Sequence, residues 1–260
     1  MAPPPLHIAS PRNPLLVRLR KLAADPIGYR KQKQLLLEGE HLCAAWNARG
    51  RGRVEQAVVS EAGWQSAALR ELAAPAAAIA IVSAPAMAGL SALETPAAIV
   101  FVVDLPEPGP LKTDVATVVL DRVQDPGNVG SILRSAAAFG FGQAVALGGT
   151  AALWAPKVVR AGMGAHFAMQ LVEGADAASL DALEVPLLGT SSHAGDRIDQ
   201  VVLPWPCAWA FGHEGRGLAD EVARRCTLVL RIAQPGGEES LNVAAAAAVC
   251  LHESTRRVPA

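Results

Sequence analysis

The sequence predicts an α/β protein with a mostly parallel sheet, and three observations lead to that prediction. Short apolar runs alternate with segments of helical periodicity, and turn residues separate them. Of the 260 residues, 51% are hydrophobic and 18% are charged, which provides a packed core and excludes a disordered chain. Residues 104–114 hold three prolines and a glycine, a composition typical of a linker between two domains.

The N-terminal part is expected to be a flexible tail followed by a small α/β module. Five prolines fall within residues 3–14, so residues 1–14 are predicted to form the tail. The module spans residues 15–103. Its expected strands are a short run from Leu35 and the segments 54–60, 79–83 and 97–103. Its expected helices begin at Leu15, at Gly39 and near residues 61 and 86.

The C-terminal part, residues 115–260, is expected to form a larger α/β domain. Its expected strands are 115–121, 143–147, 168–172, 186–190, 207–211 and 227–231. Its expected helices lie near 130–139, 155–162, 217–225 and 240–255. Strands joined by helical crossovers imply a mostly parallel sheet with helices on both faces. In such a sheet, the loops at the carboxyl ends of the strands form the ligand site.

Basic residues are concentrated at the start of the chain. Residues 1–53 contain ten Lys and Arg against three Asp and Glu, a charge of +7, whereas the remainder carries −8. This asymmetry is expected of a nucleic-acid-docking module attached to a catalytic domain. A solvated helix with basic residues on its outer face would have the same composition, so charge alone leaves both interpretations open.

The cysteines and histidines give no support to a metal or disulfide site. The four cysteines are widely spaced without a CxxC pair, which suits a reducing cytoplasm. The six histidines show no i,i+4 pairing, so a metal hydrolase is poorly supported and no metal is expected. The sequence lacks a signal peptide and any apolar run of about 18 residues, so no membrane association is expected.

Three segments of the C-terminal part combine glycines with polar side chains after expected strands. In Asn128-Val-Gly-Ser-Ile-Leu-Arg134, an Arg that can polarise a hydroxyl or anion lies near an orienting Asn. In Gly212-His-Glu-Gly-Arg-Gly217, three glycines surround Glu214 and allow close approach of a ligand to the backbone. Ser240-Leu-Asn-Val243 opens an Ala-rich helix whose N-terminus suits a polar ligand. Taken singly, the first and third segments could equally be helix caps formed by Asn128 and Ser240.

Together, in this order and spacing, the segments resemble the three motifs of the SpoU (TrmH-like) family of knotted SPOUT RNA methyltransferases. Those motifs are Asn-x-Gly-x-x-x-Arg, Gly-x-Glu-Gly-x-Gly and Ser-Leu-Asn-Val. The segment from Lys157 also resembles one that the family keeps. The resemblance covers residues 115–255 and extends weakly to Leu37-Glu-Gly-Glu-His41, which is similar to the start of the family's L30e-like RNA-binding domain.

The resemblance implies a fold, a reaction and a set of site residues. The fold is an α/β sheet with a deep trefoil knot, preceded by the L30e-like domain, in a homodimer with active sites near the subunit interface. The reaction is methyl transfer from S-adenosylmethionine to a ribose 2′-hydroxyl of structured RNA, with rRNA favoured over tRNA. The implied catalytic residues are Asn128, Arg134, Glu214, Ser240 and Asn242. The implied cofactor contacts are Thr190, Gly212, Ile232 and Leu241. With RNA as the substrate, contact with RNA becomes the favoured interpretation of Arg18, Arg20, Lys21, Arg30, Lys31 and Lys33.

Family proposals give the motif-one arginine, here Arg134, the role of activating the hydroxyl. Because arginine stays protonated, we favour polarisation and positioning, with proton loss assisted by an RNA phosphate. The chain departs from the family at Ala233 and Gln234, where Pro and Met are usual, at Ala244 and at Gly162. These departures leave the proposed catalytic residues in place, and any effect they have is expected on cofactor affinity or substrate fit.

Two other functions are compatible with an α/β chain of this kind. A Rossmann dehydrogenase would need Gly-x-Gly-x-x-Gly, but Gly140-Phe-Gly142 is followed by Val145 in place of the third glycine. A non-catalytic RNA-binding relative of the same fold is the stronger alternative. The intact polar residues of the three motifs argue against it.

Overall fold

The structure, a computed structural model, describes residues 4–50, 52–91, 93–192, 194–236 and 240–256. Its strands are β1 (Leu6–Ile8), β2 (Gln34–Glu38), β3 (Val54–Ser60), β4 (Ala78–Val82), β5 (Ile99–Asp104), β6 (Thr117–Leu120), β7 (Gln143–Leu147), β8 (Gln170–Ala175), β9 (Leu187–Thr190), β10 (Asp196–Arg197), β11 (Ala208–Phe211) and β12 (Leu228–Arg231). Its α-helices are α1 (Pro14–Ala24), α2 (Gly28–Gln32), α3 (Glu40–Arg49), α4 (Ala67–Ala73), α5 (Ala84–Ala88), α6 (Pro126–Ala138), α7 (Pro156–Gly162), α8 (Asp220–Ala223) and α9 (Val243–Thr255).

The described chain divides into two compact units. Unit 1 consists of the residues up to Glu107 together with Trp154–Phe167, and unit 2 consists of Pro108–Leu153 and the residues from Ala168 onward. The first boundary therefore falls inside the predicted linker, residues 104–114. The inclusion of Trp154–Phe167 in unit 1 was not predicted, because these residues lie within the stretch assigned to the C-terminal domain.

Unit 1 is built on a five-stranded sheet in the order β1-β4-β3-β5-β2, with β5 antiparallel to both β2 and β3. The flexible tail predicted over residues 1–14 is wrong for Leu6–Ile8, because these residues pair in parallel with β4. Residues 1–3 lie outside the described residues. Helix α1 begins where the Asn13 side chain accepts a hydrogen bond from Leu15 N, and it buries Leu16, Leu19 and Leu22 at helical spacing.

Segment 154–167 joins unit 1 through polar and aromatic contacts. Arg160 Nη2 lies 3.3 Å from Glu38 Oε2, and the Glu38 side chain is almost fully buried. The Phe167 ring meets Trp46 edge to face, with ring centroids 5.1 Å apart. Buried charges are normally paired, so removal of Arg160 would leave Glu38 uncompensated.

Unit 2 contains a seven-stranded sheet in the order β10-β12-β9-β11-β6-β7-β8, in which every pairing is parallel. The predicted α/β fold with a mostly parallel sheet is thus confirmed. Helix α9 is tied to the central strand β11, because Trp209 Nε1 donates a 2.7 Å hydrogen bond to Ser254 Oγ inside the core. This contact fixes the C-terminal end of α9 against β11.

Across the described ranges, no helix combines the length and the apolar character needed to cross a membrane. The same residues contain no group of three or more His, Cys, Asp or Glu side chains arranged to hold a metal ion.

Candidate active site

A cavity of about 650 Å³ opens at the carboxyl ends of β9, β11 and β12 in unit 2. Its volume falls in the range of roughly 300–1,000 Å³ that is usual for small-molecule sites. The lining includes the four predicted cofactor contacts Thr190, Gly212, Ile232 and Leu241. It also includes Glu214 and Ser240, so six of the nine predicted catalytic and cofactor residues meet at one cavity.

The loop that carries Glu214 depends on glycine at its first position. A Cβ atom on Gly212 would lie 2.2 Å from the Gly217 carbonyl carbon and 2.4 Å from Leu218 N. Gly217 has a φ of +66°, and its carbonyl accepts a 3.0 Å hydrogen bond from His213 N. Glycine is therefore required at Gly212 by close backbone approach and at Gly217 by the left-handed conformation.

Asp121 and Arg122, which directly follow β6, hold this loop in place through hydrogen bonds to its backbone. Asp121 is 3% exposed and accepts a 2.6 Å hydrogen bond from Ala219 N. Arg122 pairs with both carboxylate oxygens of Asp121, and Arg122 Nη2 also donates to the Gly217 carbonyl at 3.3 Å. The hydrogen bond from Arg122 to Asp121 raises the pKa of the Arg122 guanidinium. Sequence reasoning missed this pair, although an Asp directly after a buried strand was a usable signal.

Side-chain hydrogen bonds connect the three predicted motifs into a single chain. Asn242 Oδ1 accepts from Ala244 N and Ala245 N at the start of α9, which leaves its amide nitrogen free to donate. Asn242 Nδ2 donates to Asn128 Oδ1 at 3.0 Å, and Asn128 Nδ2 donates to Glu214 Oε1 at 3.1 Å. The capping bond thus fixes the orientation of each amide in turn.

Glu214 is held as a carboxylate. Burial raises its pKa, but hydrogen bonds from its own backbone amide, Asn128 and the amides of Asp125 and Gln124 outweigh that effect and lower the pKa overall. Gln124 N and Asp125 N each lie 3.3 Å from a carboxylate oxygen. The side chain that follows β11 therefore fastens the turn that precedes α6.

The helix caps differ from the capping interpretations considered for the sequence. Asp125 caps α6, because its side chain accepts from Asn128 N at 2.8 Å. Asn242, rather than Ser240, caps α9. Because Asp125 already serves α6, the Asn128 side chain is available for Glu214. Ser240 is exposed and lines the cavity.

The structure does not bring Arg134 to the cavity. Its side chain is exposed on α6, and among the described residues it has no hydrogen-bond or ion-pair partner. Six residues of α-helix place Arg134 about 9 Å along the axis from Asn128 and about 120° around it. The two residues of the first motif therefore point in different directions.

Three of the six predicted RNA contacts meet in a groove beside α1 and α2 of unit 1. Arg18, Lys21 and Lys31 line it, together with Arg12, which sequence reasoning missed. The other three predicted contacts, Arg20, Arg30 and Lys33, do not line this groove. Arg20 donates to the Pro11 carbonyl, and Arg30 lies over the Tyr29 ring at 5.6 Å. The charge of Arg12 was a usable signal, but its proline-rich neighbours led to the prediction that it lies in a flexible tail.

Comparison with known proteins gives matches over the site and over nearly the whole chain. Residues 116–252 match the SpoU rRNA Methylase family. An uncharacterized tRNA/rRNA methyltransferase of Synechocystis sp. is 31% identical over 96% of this chain and 93% of its own. The Bacillus subtilis protein named 23S rRNA (guanosine(2553)-2′-O)-methyltransferase RlmP is 32% identical over 66% of this chain and 70% of its own.

A solved structure of an RNA methyltransferase is also similar to this chain over almost its full length. The SpoU methyltransferase AviRb from Streptomyces viridochromogenes, solved in complex with the cofactor AdoMet, superimposes with a TM-score of 0.83 at 26% identity. The match covers 95% of this chain and 98% of that one. The matched family spans more than half of the chain and includes all three motifs. The chain belongs to the SpoU rRNA Methylase family.

Proposed function

We propose that this chain is an S-adenosylmethionine-dependent RNA methyltransferase that methylates a ribose 2′-hydroxyl, with rRNA as its substrate. The observation that carries the proposal is the hydrogen-bonded chain from Asn242 through Asn128 to Glu214 beside the cavity. The similarity to the Bacillus subtilis 23S rRNA 2′-O-methyltransferase and to an AdoMet-bound family member supports it.

The cavity fits the cofactor in size and in the character of its lining. Gly212 lets the backbone approach closely, while Ile232 and Leu241 offer apolar surface and Thr190 a hydroxyl. We assign these four residues to cofactor binding. When bound there, S-adenosylmethionine supplies a methyl group that is open to attack by an oxygen nucleophile.

The polar residues then position the nucleophile. Asn128 and Asn242 hold the Glu214 carboxylate in one orientation, and Ser240 places a hydroxyl at the cavity. Arg134 polarises and positions the ribose hydroxyl, but it stays protonated and so does not act as the base. The hydroxyl proton passes to a phosphate of the RNA substrate. Fixed orientation of the reacting groups is the main source of rate enhancement in this scheme.

We further infer a homodimer in which Arg134 completes the site of the second copy. Arg134 points away from Asn128, so one copy alone does not direct it at the cavity. Its helix packs against α9, on which Val249 is 43% exposed and offers apolar contact area. A two-fold dimer would repeat this face on both copies.

Mixing inactive subunits tests this arrangement. If Arg134 acts across the interface, a mixture of the Arg134→Ala and Glu214→Ala proteins regains about a quarter of wild-type activity, because half of the dimers carry one intact site. If Arg134 acts within its own copy, the mixture stays inactive. The oligomeric mass of each variant in solution must be measured in parallel, because the test requires both variants to form dimers.

We assign RNA docking to residues 15–103, with 104–114 as the linker and 115–260 as the methyltransferase domain, of which segment 154–167 belongs to compact unit 1. The groove that gathers Arg12, Arg18, Lys21 and Lys31 supports the first assignment, because phosphate contacts dominate RNA affinity. The L30e-like architecture of this part is inferred from the family resemblance. Cytoplasmic localisation is inferred from the free cysteines, two of which, Cys207 and Cys250, have pKa values raised by burial to about 11 and about 12.

The trefoil knot is also part of the proposal. In its support, β12 lies beyond β9 in the sheet, whereas the following helix α9 returns to pack against α6 and β11. A return over the sheet of this kind is compatible with a knot, in which the C-terminal segment threads through an earlier loop, a topology that ordinary folds avoid.

The test of the reaction is transfer of labelled methyl from S-adenosylmethionine to rRNA from a strain that lacks this protein. We expect the wild-type protein to form a 2′-O-methylated nucleoside and Arg134→Ala to form at most a trace. A base-methylated nucleoside would contradict the proposal. RNA binding without methyl transfer to either naked rRNA or ribosomal particles would favour the non-catalytic relative.

A further inference from the structure

Gln234 lies on the cavity wall and has an unsatisfied carbonyl oxygen. Its Oε1 is buried, and among the described residues it has no hydrogen-bond partner. It follows β12 by three residues, and Ile232 from the same segment lines the same cavity. The position is one where the resembled family usually has methionine, which lacks an amide.

A buried acceptor without a donor is unfavourable, because it has lost water and gained nothing in exchange. Such groups are rare in folded proteins and invite a specific explanation. Hydrogen bonding to a ligand that is absent from the free protein is one such explanation. In the free protein the oxygen itself is closed off from water, but Gln234 lines the cavity, so a turn of its side-chain amide would bring the oxygen to a bound ligand.

We propose that Gln234 is a cofactor-binding residue whose Oε1 accepts a hydrogen bond from an N–H group of S-adenosylmethionine. This inference rests on the proposed function, because it requires the cavity to hold that molecule. The cofactor carries two kinds of N–H donor, the adenine amino group and the ammonium group of its methionine part. Either would satisfy the buried oxygen, whereas a methionine side chain at this position would offer only apolar contact.

The variant Gln234→Met tests the proposal with little change in side-chain length. Binding of S-adenosylhomocysteine, measured by calorimetry, should weaken about tenfold, the effect of one lost hydrogen bond in a buried site. The free variant should melt at the same temperature as the wild type or higher, because it no longer buries an unsatisfied oxygen. If Gln234 had only a structural role, its replacement would lower the melting temperature of the free protein together with the affinity for the ligand.

The matched control is Gln200→Met. Gln200 is exposed and does not line the cavity, so the same chemical change should leave the affinity for S-adenosylhomocysteine unchanged. Equal affinity of wild type and Gln234→Met would overturn the role of Gln234. Failure of the wild type to bind S-adenosylhomocysteine would overturn the cofactor site itself, and this inference with it.

A second ligand identifies the donor. 5′-Methylthioadenosine keeps the adenine amino group but lacks the methionine ammonium group. If Gln234→Met weakens both ligands equally, the oxygen binds the adenine side. If it weakens only S-adenosylhomocysteine, the oxygen binds the ammonium group. Weakening of neither ligand contradicts the proposal.

Discussion

Asn128 Nδ2 donates a 3.1 Å hydrogen bond to Glu214 Oε1, although 86 residues separate the two in sequence. Asn128 in turn accepts from Asn242, whose own oxygen caps α9. One helix terminus, one turn and one strand-end loop are thereby fixed relative to each other. The polar residues of the three motifs act as a single unit, so their substitutions should be strongly non-additive.

Asn242→Asp separates capping from the link to Asn128. Aspartate keeps the oxygen that accepts from Ala244 N and Ala245 N, and it suits a helix N-terminus. It lacks the N–H that donates to Asn128, so we expect methyl transfer to fall about tenfold or more while stability changes by less than about 1 kcal/mol. Rate and thermal unfolding measurements check this.

Asn13→Asp is the matched control, since Asn13 caps α1 with the same kind of bond to Leu15 N. It should retain both stability and activity. Full activity of Asn242→Asp would show that the contact between the two asparagines is dispensable.

The lowered pKa of Glu214 predicts how the stability of the folded protein depends on pH. Its pKa is lowered in the folded state, so the stability it contributes is fully present above the unfolded value of about 4.3 and is lost as pH falls through the folded value. The difference in melting temperature between wild type and Glu214→Gln should stay constant from about pH 8 to about pH 5.5, because the carboxylate is ionised throughout that range. The difference should shrink only in stronger acid. A difference that vanishes near neutral pH would mean that the carboxylate has a raised pKa.

Gly212→Ala and Gly215→Ala form a matched pair within one loop. The first would place a Cβ against backbone atoms of Gly217 and Leu218, which cannot move aside without opening the loop. We expect a loss of about 2–4 kcal/mol in unfolding free energy and loss of cofactor binding. At Gly215 the nearest atom is 3.8 Å away, so alanine should be tolerated. Equal behaviour of the two variants would contradict this account of the loop.

The basic groove predicts how RNA binding depends on salt. Lys21→Gln should reduce the slope of log affinity against log salt concentration by about 0.7–0.9, the effect of one lost phosphate contact. Arg49→Gln removes an exposed charge of unit 1 that does not line the groove, so its slope should match the wild type. An unchanged slope for Lys21→Gln would place the RNA elsewhere.

The sequence predicted the elements whose signals are local. Strand β7 was predicted at the residues where it lies, since its apolar run is bounded by Gly142 and Gly148. Helix α6 begins at Pro126, earlier than predicted, because Asp125 and Pro126 form a cap and a first helical position. Strand β1 was missed because three residues among prolines give no local signal, and only pairing with distant β4 makes them a strand.

In the candidate site, too, the features with a local sequence signal were predicted and those that depend on the folded chain were not. The motifs identified which residue types matter, and the cavity gathers six of them. The order of the hydrogen bonds, the outward direction of Arg134 and the buried oxygen of Gln234 depend on side-chain orientation in the folded chain. Spacing along the sequence does not encode these.

The most direct test of the central claim is the position of the methyl group on the RNA. In alkali the free 2′-hydroxyl attacks the neighbouring phosphodiester, so methylation of that oxygen blocks cleavage at its own linkage. After reaction with labelled S-adenosylmethionine and alkaline hydrolysis of the rRNA, 2′-O-methylation predicts label in alkali-resistant dinucleotides. Label in mononucleotides would place the methyl group on a base and contradict the account.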